Sequence, residues 1–125
     1  MRDEKEILAL CDRVRQTAFE LHAYLRHGQL EKVYENGLAH RLRKAGMMVE
    51  QQCPLQVRDE DGTVLGDYFA DLFVESDVII ELKACTALTN EHIAQVLGYL
   101  RASGKRHALL INFGASKLEI RKLIL

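Results

Sequence analysis

Apolar positions recur at steps of three and four through residues 6–26, at Ile7, Leu10, Val14, Ala18, Leu21 and Leu25. That period predicts an amphipathic helix, and His27-Gly28 predicts its end. Residues 30–45 repeat the pattern through Leu30, Val33, Tyr34, Leu38 and Leu42, and Gly46 stops it. The period then changes. Val49, Cys53, Leu55 and Val57 fall at two-residue spacing, as in a strand. Pro54 lacks an amide donor, which puts this strand at a sheet edge or at a bulge. Asp59-Glu60-Asp61-Gly62 reads as a turn. Thr63 to Val74 reads as a second strand, with an interruption expected near Gly66-Asp67. Glu75-Ser76-Asp77 turns the chain again. Val78 to Ala84 is a third strand, and its nearly continuous apolar run predicts burial on both faces.

Thr89 or Asn90 can cap a helix running to about Ser103, with Ile93, Val96, Leu97 and Leu100 on its apolar face and Gly104 at its end. His107 to Phe113 and Leu118 to Leu125 complete the order α-α-β-β-β-α-β-β. A strand, helix and strand across residues 78–113 fit a right-handed parallel crossover. The expectation is one domain over residues 1–125, an α/β sandwich with a mixed sheet.

Seventeen Lys and Arg against eighteen Asp and Glu give a formal charge of −1. Bulk charge therefore does not point to nucleic acid, and any grip on phosphates has to come from local patches. Arg41, Arg43 and Lys44, then Lys105, Arg106 and His107, form basic clusters; either could touch a nucleic-acid backbone, but a solvated helix end is the simpler reading. Cys11, Cys53 and Cys85 lie far apart, without the spacing of a zinc site, and are expected as reduced thiols in a cytoplasm. MRDEKEILAL is charged from its second residue, so neither a signal peptide nor a spanning helix is expected there. The five histidines show no ligand spacing, and no glycine-rich phosphate loop is present.

Chemistry concentrates in Val78-Ile79-Ile80-Glu81-Leu82-Lys83-Ala84, where two charges end an apolar strand. Burying charge is costly unless it is paired or binds a metal. Side chains at i and i+2 share a strand face, so Glu81 and Lys83 project together. Tyr68-Phe69-Ala70-Asp71-Leu72-Phe73-Val74 places one more carboxylate in an apolar run. If the short turn makes these strands neighbours, Asp71 lies beside Glu81. A structural salt bridge from Lys83 is the simpler reading. Two acids against one lysine leave a negative charge, which favours a divalent cation. Mg²⁺ prefers hard oxygen ligands, and Asp71, Glu81 and the Leu82 carbonyl could supply them. Lys83 could orient a water and offset charge on phosphoryl oxygens. Charge alone predicts that Asp71→Asn is neutral or stabilising in the metal-free protein. Gln95 and Tyr99, at i and i+4, share a helix face; the amide could bond a water or substrate, and the phenol a phosphate. Glu31 opens the second helix, where the dipole stabilises an acid. It could also face the metal, with Tyr34 on the same face to buttress it.

These stretches together resemble the GxxExxY proteins, a small prokaryotic branch of the PD-(D/E)XK nuclease superfamily. The matching elements are Gly28, Glu31 and Tyr34 in GQLEKVY, Asp71 in YFADLFV, Glu81 and Lys83 in IIELKA, Gln95 and Tyr99 in QVLGYLRA, and LLINFG at 109–114. One departure is Arg26-His27-Gly28, where the family often has Gly-Pro-Gly. The resemblance implies a restriction-endonuclease-like αβββαβ core, a mixed sheet flanked by helices. It implies Mg²⁺ (with Mn²⁺ as a substitute) on Asp71, Glu81 and Leu82, and a catalytic set of Asp71, Glu81, Lys83, Glu31 and Gln95. Tyr99 and Tyr34 are then expected at the substrate. The function implied is metal-dependent phosphodiester hydrolysis of DNA, ahead of RNA. The alternative is a noncatalytic module on the same fold that binds nucleic acid or a protein partner. A homodimer is compatible with either, and no membrane association is expected.

Overall fold

A computed structural model describes residues 1–125. Three helices, α1 (Glu4–Leu25), α2 (Glu31–Lys44) and α3 (Asn90–Ser103), cover a five-stranded sheet. Its strands are β1 (Val49–Arg58), β2 (Val64–Val74), β3 (Val78–Lys83), β4 (His107–Asn112) and β5 (Glu119–Ile124), in spatial order β1-β2-β3-β4-β5. Only β3 and β4 pair in parallel, joined by α3. The other pairs are antiparallel, so the sheet is mixed as the pattern predicts.

Local chemistry sets the helix ends. Asp3 caps α1 by accepting from the Glu6 amide, and Glu6 returns the bond to the Asp3 amide. Thr89 caps α3, and Gly104 closes it in the left-handed conformation that glycine adopts without cost. Leu30 precedes α2 with no side-chain cap. α1 and α2 lie on one face of the sheet, packing Val14, Leu21, Leu38 and Leu42 against Leu72, Ile80, Leu82 and Ile111. α3 lies on the other, packing Val96 and Leu100 against Ile79, Ala108 and Leu110. β3 is thus buried on both faces, which explains its apolar run.

β1 is an edge strand, which accommodates Pro54. Its alternation does not run unbroken from Val49 to Val57. Val49 packs with the α1–α2 side, whereas Cys53 and Leu55 pack with the α3 side. The reversal falls at Gln52, whose φ of 51° is left-handed. Across the ladder, Leu72 packs with α1 and α2 while Ala70 packs with α3, so β2 changes face at Asp71. The interruption expected near Gly66-Asp67 falls beside it: Gln56↔Asp67 and Val57↔Gly66 are paired, but Arg58 pairs with Val64, so the register shifts at Leu65.

Candidate active site

β2 and β3 pair from Val74↔Val78 to Leu72↔Ile80 and then part. Asp71 and Glu81 occupy the next cross-strand position, where the backbone ladder has ended. There the Asp71 side chain replaces a backbone acceptor: its Oδ2 accepts the Leu82 amide at 2.8 Å. The Lys83 carbonyl accepts from Phe113 on the β4 side. Strand alternation therefore turns the Leu82 amide and carbonyl toward β2 and Asp71.

Asp71 is buried, and so is Glu81, at 4% exposure. Burial pushes the Glu81 carboxyl up to about 10; a hydrogen bond with Asp71 and that residue's charge add to the rise, and Lys83 opposes it. Glu81 Oε2 is buried without any hydrogen-bond partner. Lys83, on the same strand face, donates from Nζ to Gln95 Oε1 at 3.0 Å, and Gln95 Nε2 donates to the Tyr99 hydroxyl at 3.2 Å. Burial and then the charges of Glu81 and Asp71 push the Tyr99 phenol up to about 12. Glu31 is largely exposed at the start of α2, yet partial desolvation, and then Asp71, raise its carboxyl. The structure thus brings Asp71, Glu81, Leu82, Lys83, Gln95, Tyr99 and Glu31 to one end of the β2–β3 pair.

The sequence profile of the PD-(D/E)XK nuclease superfamily matches residues 9–123. The chain belongs to that superfamily. In structure it is similar to the crystal structure of SSO0001, with a TM-score of 0.62 and 16% identity over 74% of this chain and 48% of that one. An alkaline exonuclease, LHK-Exo from Laribacter hongkongensis, aligns with a TM-score of 0.40 and 12% identity, over 69% of this chain and 51% of its own. The chain spans about half the length of each. Among curated proteins none matches the sequence. The fold is the restriction-endonuclease-like one: α2, β1, β2, β3, α3 and β4 make the αβββαβ core, and α1 and β5 are added to it.

PD-(D/E)XK nucleases generally use divalent metal ions, and the donor set here fits such an ion. Glu81 Oε2 is a buried oxygen lacking a partner beside a second carboxylate. All the candidate donors are hard oxygens, which suits Mg²⁺ and not zinc. No three His, Cys, Asp or Glu side chains form a cage by themselves.

One expectation needs correction. Tyr34 is not placed to touch substrate or to buttress Glu31 directly. It is wholly buried and stacked on Phe113 at 4.7 Å between centroids. Its hydroxyl donates to the Arg26 carbonyl and accepts from the Gln29 amide at 3.1 Å. It therefore ties down the loop that leads into Glu31, and can act on the candidate site only through that loop.

Residues passed over by the pattern lie behind the acids. Glu35, on α2, is 4% exposed and accepts from Lys32, Gln51 and Gln52. Its signal is its position four residues after Glu31, one helical turn on. Asn112, fully buried, accepts from the Cys85 and Gly114 amides and donates to the Cys85 carbonyl and Glu119. It clamps the chain just beyond Lys83. Gly114 has no room for a side chain: a Cβ would lie 2.3 Å from the Cys85 nitrogen. That accounts for the NFG run. No helix is long and apolar enough to cross a membrane.

Proposed function

We propose that this chain is a metal-dependent phosphodiester hydrolase acting on DNA, with RNA the second choice, in the GxxExxY branch of its superfamily. The observation that carries the reading is the buried, partnerless Glu81 oxygen beside Asp71, with Lys83 on the same strand face. A structural salt bridge would pair Lys83 with an acid. Its ammonium is bonded to the neutral Gln95 amide instead, and both acids remain without a cation in contact.

Asp71, Glu81 and the Leu82 carbonyl are the proposed ligands of Mg²⁺, for which Mn²⁺ can substitute. When bound, the ion supplies Lewis-acid polarisation of the scissile phosphate and makes water a better nucleophile. Lys83 orients that water and offsets charge growing on the phosphoryl oxygens. Gln95 fixes the Lys83 rotamer through its carbonyl oxygen. The Tyr99 hydroxyl accepts a hydrogen bond from Gln95 Nε2, which leaves its own O–H free to donate to a phosphate oxygen. Glu31 faces the same space and adjusts the position of water or cation.

The test is a panel of labelled DNA and RNA substrates with Mg²⁺, Mn²⁺ or chelator, with wild type and Lys83→Ala purified identically. Wild type should cleave only with the metal, and Lys83→Ala should be slower by roughly 10²- to 10³-fold, the scale of losing one transition-state charge contact. Equal rates in the two would refute the catalytic reading. No cleavage by either, on any substrate, would leave the noncatalytic binding module.

A further inference from the structure

A groove of about 1060 Å³ separates the β1–β2 hairpin from the C-terminal half of α3. It begins beside the candidate active site, because Tyr68 on its wall lies 5.2 Å from the Tyr99 ring, whose hydroxyl bonds Gln95. Three cations line it, Arg58, Arg101 and Lys105, against one acid, Asp67. None of the three is ion-paired, since the salt bridges engage Arg2, Lys32, Arg106 and His107. Arg58 is held by the Gly62 carbonyl and the Gln56 amide oxygen, both neutral. Lys105 lies over the Phe73 ring at 5.8 Å. Tyr68, 44% exposed, offers aromatic surface on this wall, whereas Phe69, the next residue of β2, pairs with Pro54 and turns to the opposite face of the sheet.

In a chain of net charge −1 this is a local excess of unpaired positive charge, and it is interleaved with aromatic faces. A polyanion with planar faces of its own satisfies both features. Duplex bases are stacked on one another and present no face to a side chain; unpaired bases do. From Gly98 to Lys105 the α3 wall runs roughly 10 Å, room for about three stacked nucleotides.

We propose that this groove binds a single-stranded nucleic-acid segment, its bases against Tyr68 and its phosphates along Arg58, Arg101 and Lys105, leading the strand to the Asp71–Glu81–Lys83 cluster. The delivery step rests on the nuclease reading; the binding step does not. The discriminating measurement is fluorescence anisotropy in chelator, where no cleavage occurs, with a labelled oligothymidylate, an oligouridylate and a duplex of equal length. Single strands should bind more tightly than duplex, and comparison of the first two probes separates DNA from RNA. Tyr68→Ala and Arg101→Glu should each weaken single-strand binding by roughly tenfold. Lys44→Glu, an equal charge change on the opposite side of the sheet, should weaken it less than about twofold. Photocrosslinking of a 5-iodouracil oligonucleotide to wild type should label the segment containing Tyr68, a readout that needs no variant to fold. Tighter duplex binding, equal losses in Arg101→Glu and Lys44→Glu, or crosslinks elsewhere would overturn the groove. Groove binding without cleavage of any substrate would remove the nuclease reading and leave the groove standing. Cleavage with unaltered binding by the groove variants would do the reverse.

Discussion

Gln52 Nε2 lies 3.0 Å from Asp71 Oδ1 and donates to it, while also donating to Glu35 Oε1 at 2.8 Å. One amide therefore bridges the candidate metal ligand and a buried acid behind it, at the position where β1 and β2 both change face. Gln52 holds this place with a φ of 51°. Removing the amide leaves two buried acceptors short of a donor, which costs about 1–3 kcal/mol. Gln52→Ala should lower the unfolding free energy by that amount. Gln52→Gly loses the same amide but relieves the left-handed backbone, and should be about 1 kcal/mol more stable than Gln52→Ala. Denaturant unfolding of the two variants checks the order; Ala above Gly would mean the backbone is not strained there.

The two acids respond differently to neutralisation. Both Asp71 oxygens accept hydrogen bonds, one from Gln52 and one from Leu82. An asparagine would set its NH₂ against one of these donors. Charge alone predicts that Asp71→Asn is harmless, but this geometry predicts a loss of about 1–3 kcal/mol. Glu81 has an oxygen without a partner, so Glu81→Gln should be neutral or stabilising in metal-free protein. Thermal melts in chelator distinguish them, and a harmless Asp71→Asn would restore the charge argument.

Most of the architecture was legible because each element carries its own period or stop. The helix stripes, the doubly buried β3 and Pro54 on an edge all follow from local sequence. Glu31, Asp71, Glu81, Lys83 and Gln95 were legible as charged or amide groups in apolar or helical context. Gln52 was not, because nothing local announces that a glutamine in an edge strand will take a left-handed φ. Tyr34 was misplaced because helical spacing gives a residue's face and not its depth. Arg26 shows the same limit. It adopts φ 63° and ψ −174°, a region ordinarily reserved for glycine.

That strain is testable. Arg26→Gly frees the backbone of roughly 1–3 kcal/mol and adds about 0.4–1 kcal/mol of unfolded-state entropy. A net stabilisation of about 1 kcal/mol is expected in denaturant unfolding. Unchanged or lower stability would show that the Arg26 side chain contributes contacts worth as much as the strain.

Glu31 gives a separation of activity from stability. It is exposed, bonds no donor that would be orphaned, and stands near Asp71, Lys83 and Glu35. Glu31→Gln should change stability by less than about 0.5 kcal/mol, the usual range for surface sites, while reducing metal-dependent turnover. A lower melting point with unchanged turnover would assign Glu31 to the helix start alone.

Proton linkage at Glu81 gives a pH signature independent of turnover. Its carboxyl is pushed from 4.5 to about 10 by burial first and by Asp71 second, with Lys83 pulling the other way and Glu31 adding a little. A raised acid favours the folded state while protonated. The unfolded chain releases this proton above about 4.5, so the contribution to stability is complete below that pH. It declines as pH rises toward 10, because the unfolded state is the one that gains from ionisation. In chelator, wild type should lose stability through this window more than Glu81→Gln does. A cation on Glu81 must take the place of that proton. Metal binding should therefore release close to one proton near neutral pH, and its affinity should rise by up to about tenfold per pH unit. Calorimetric titration with Mg²⁺ in two buffers of different ionisation enthalpy counts the proton directly. Glu81→Gln should release none and bind weakly. Proton-neutral, pH-independent Mg²⁺ binding by the wild type would show that Glu81 is not a ligand, and the cation site would have to be built without it.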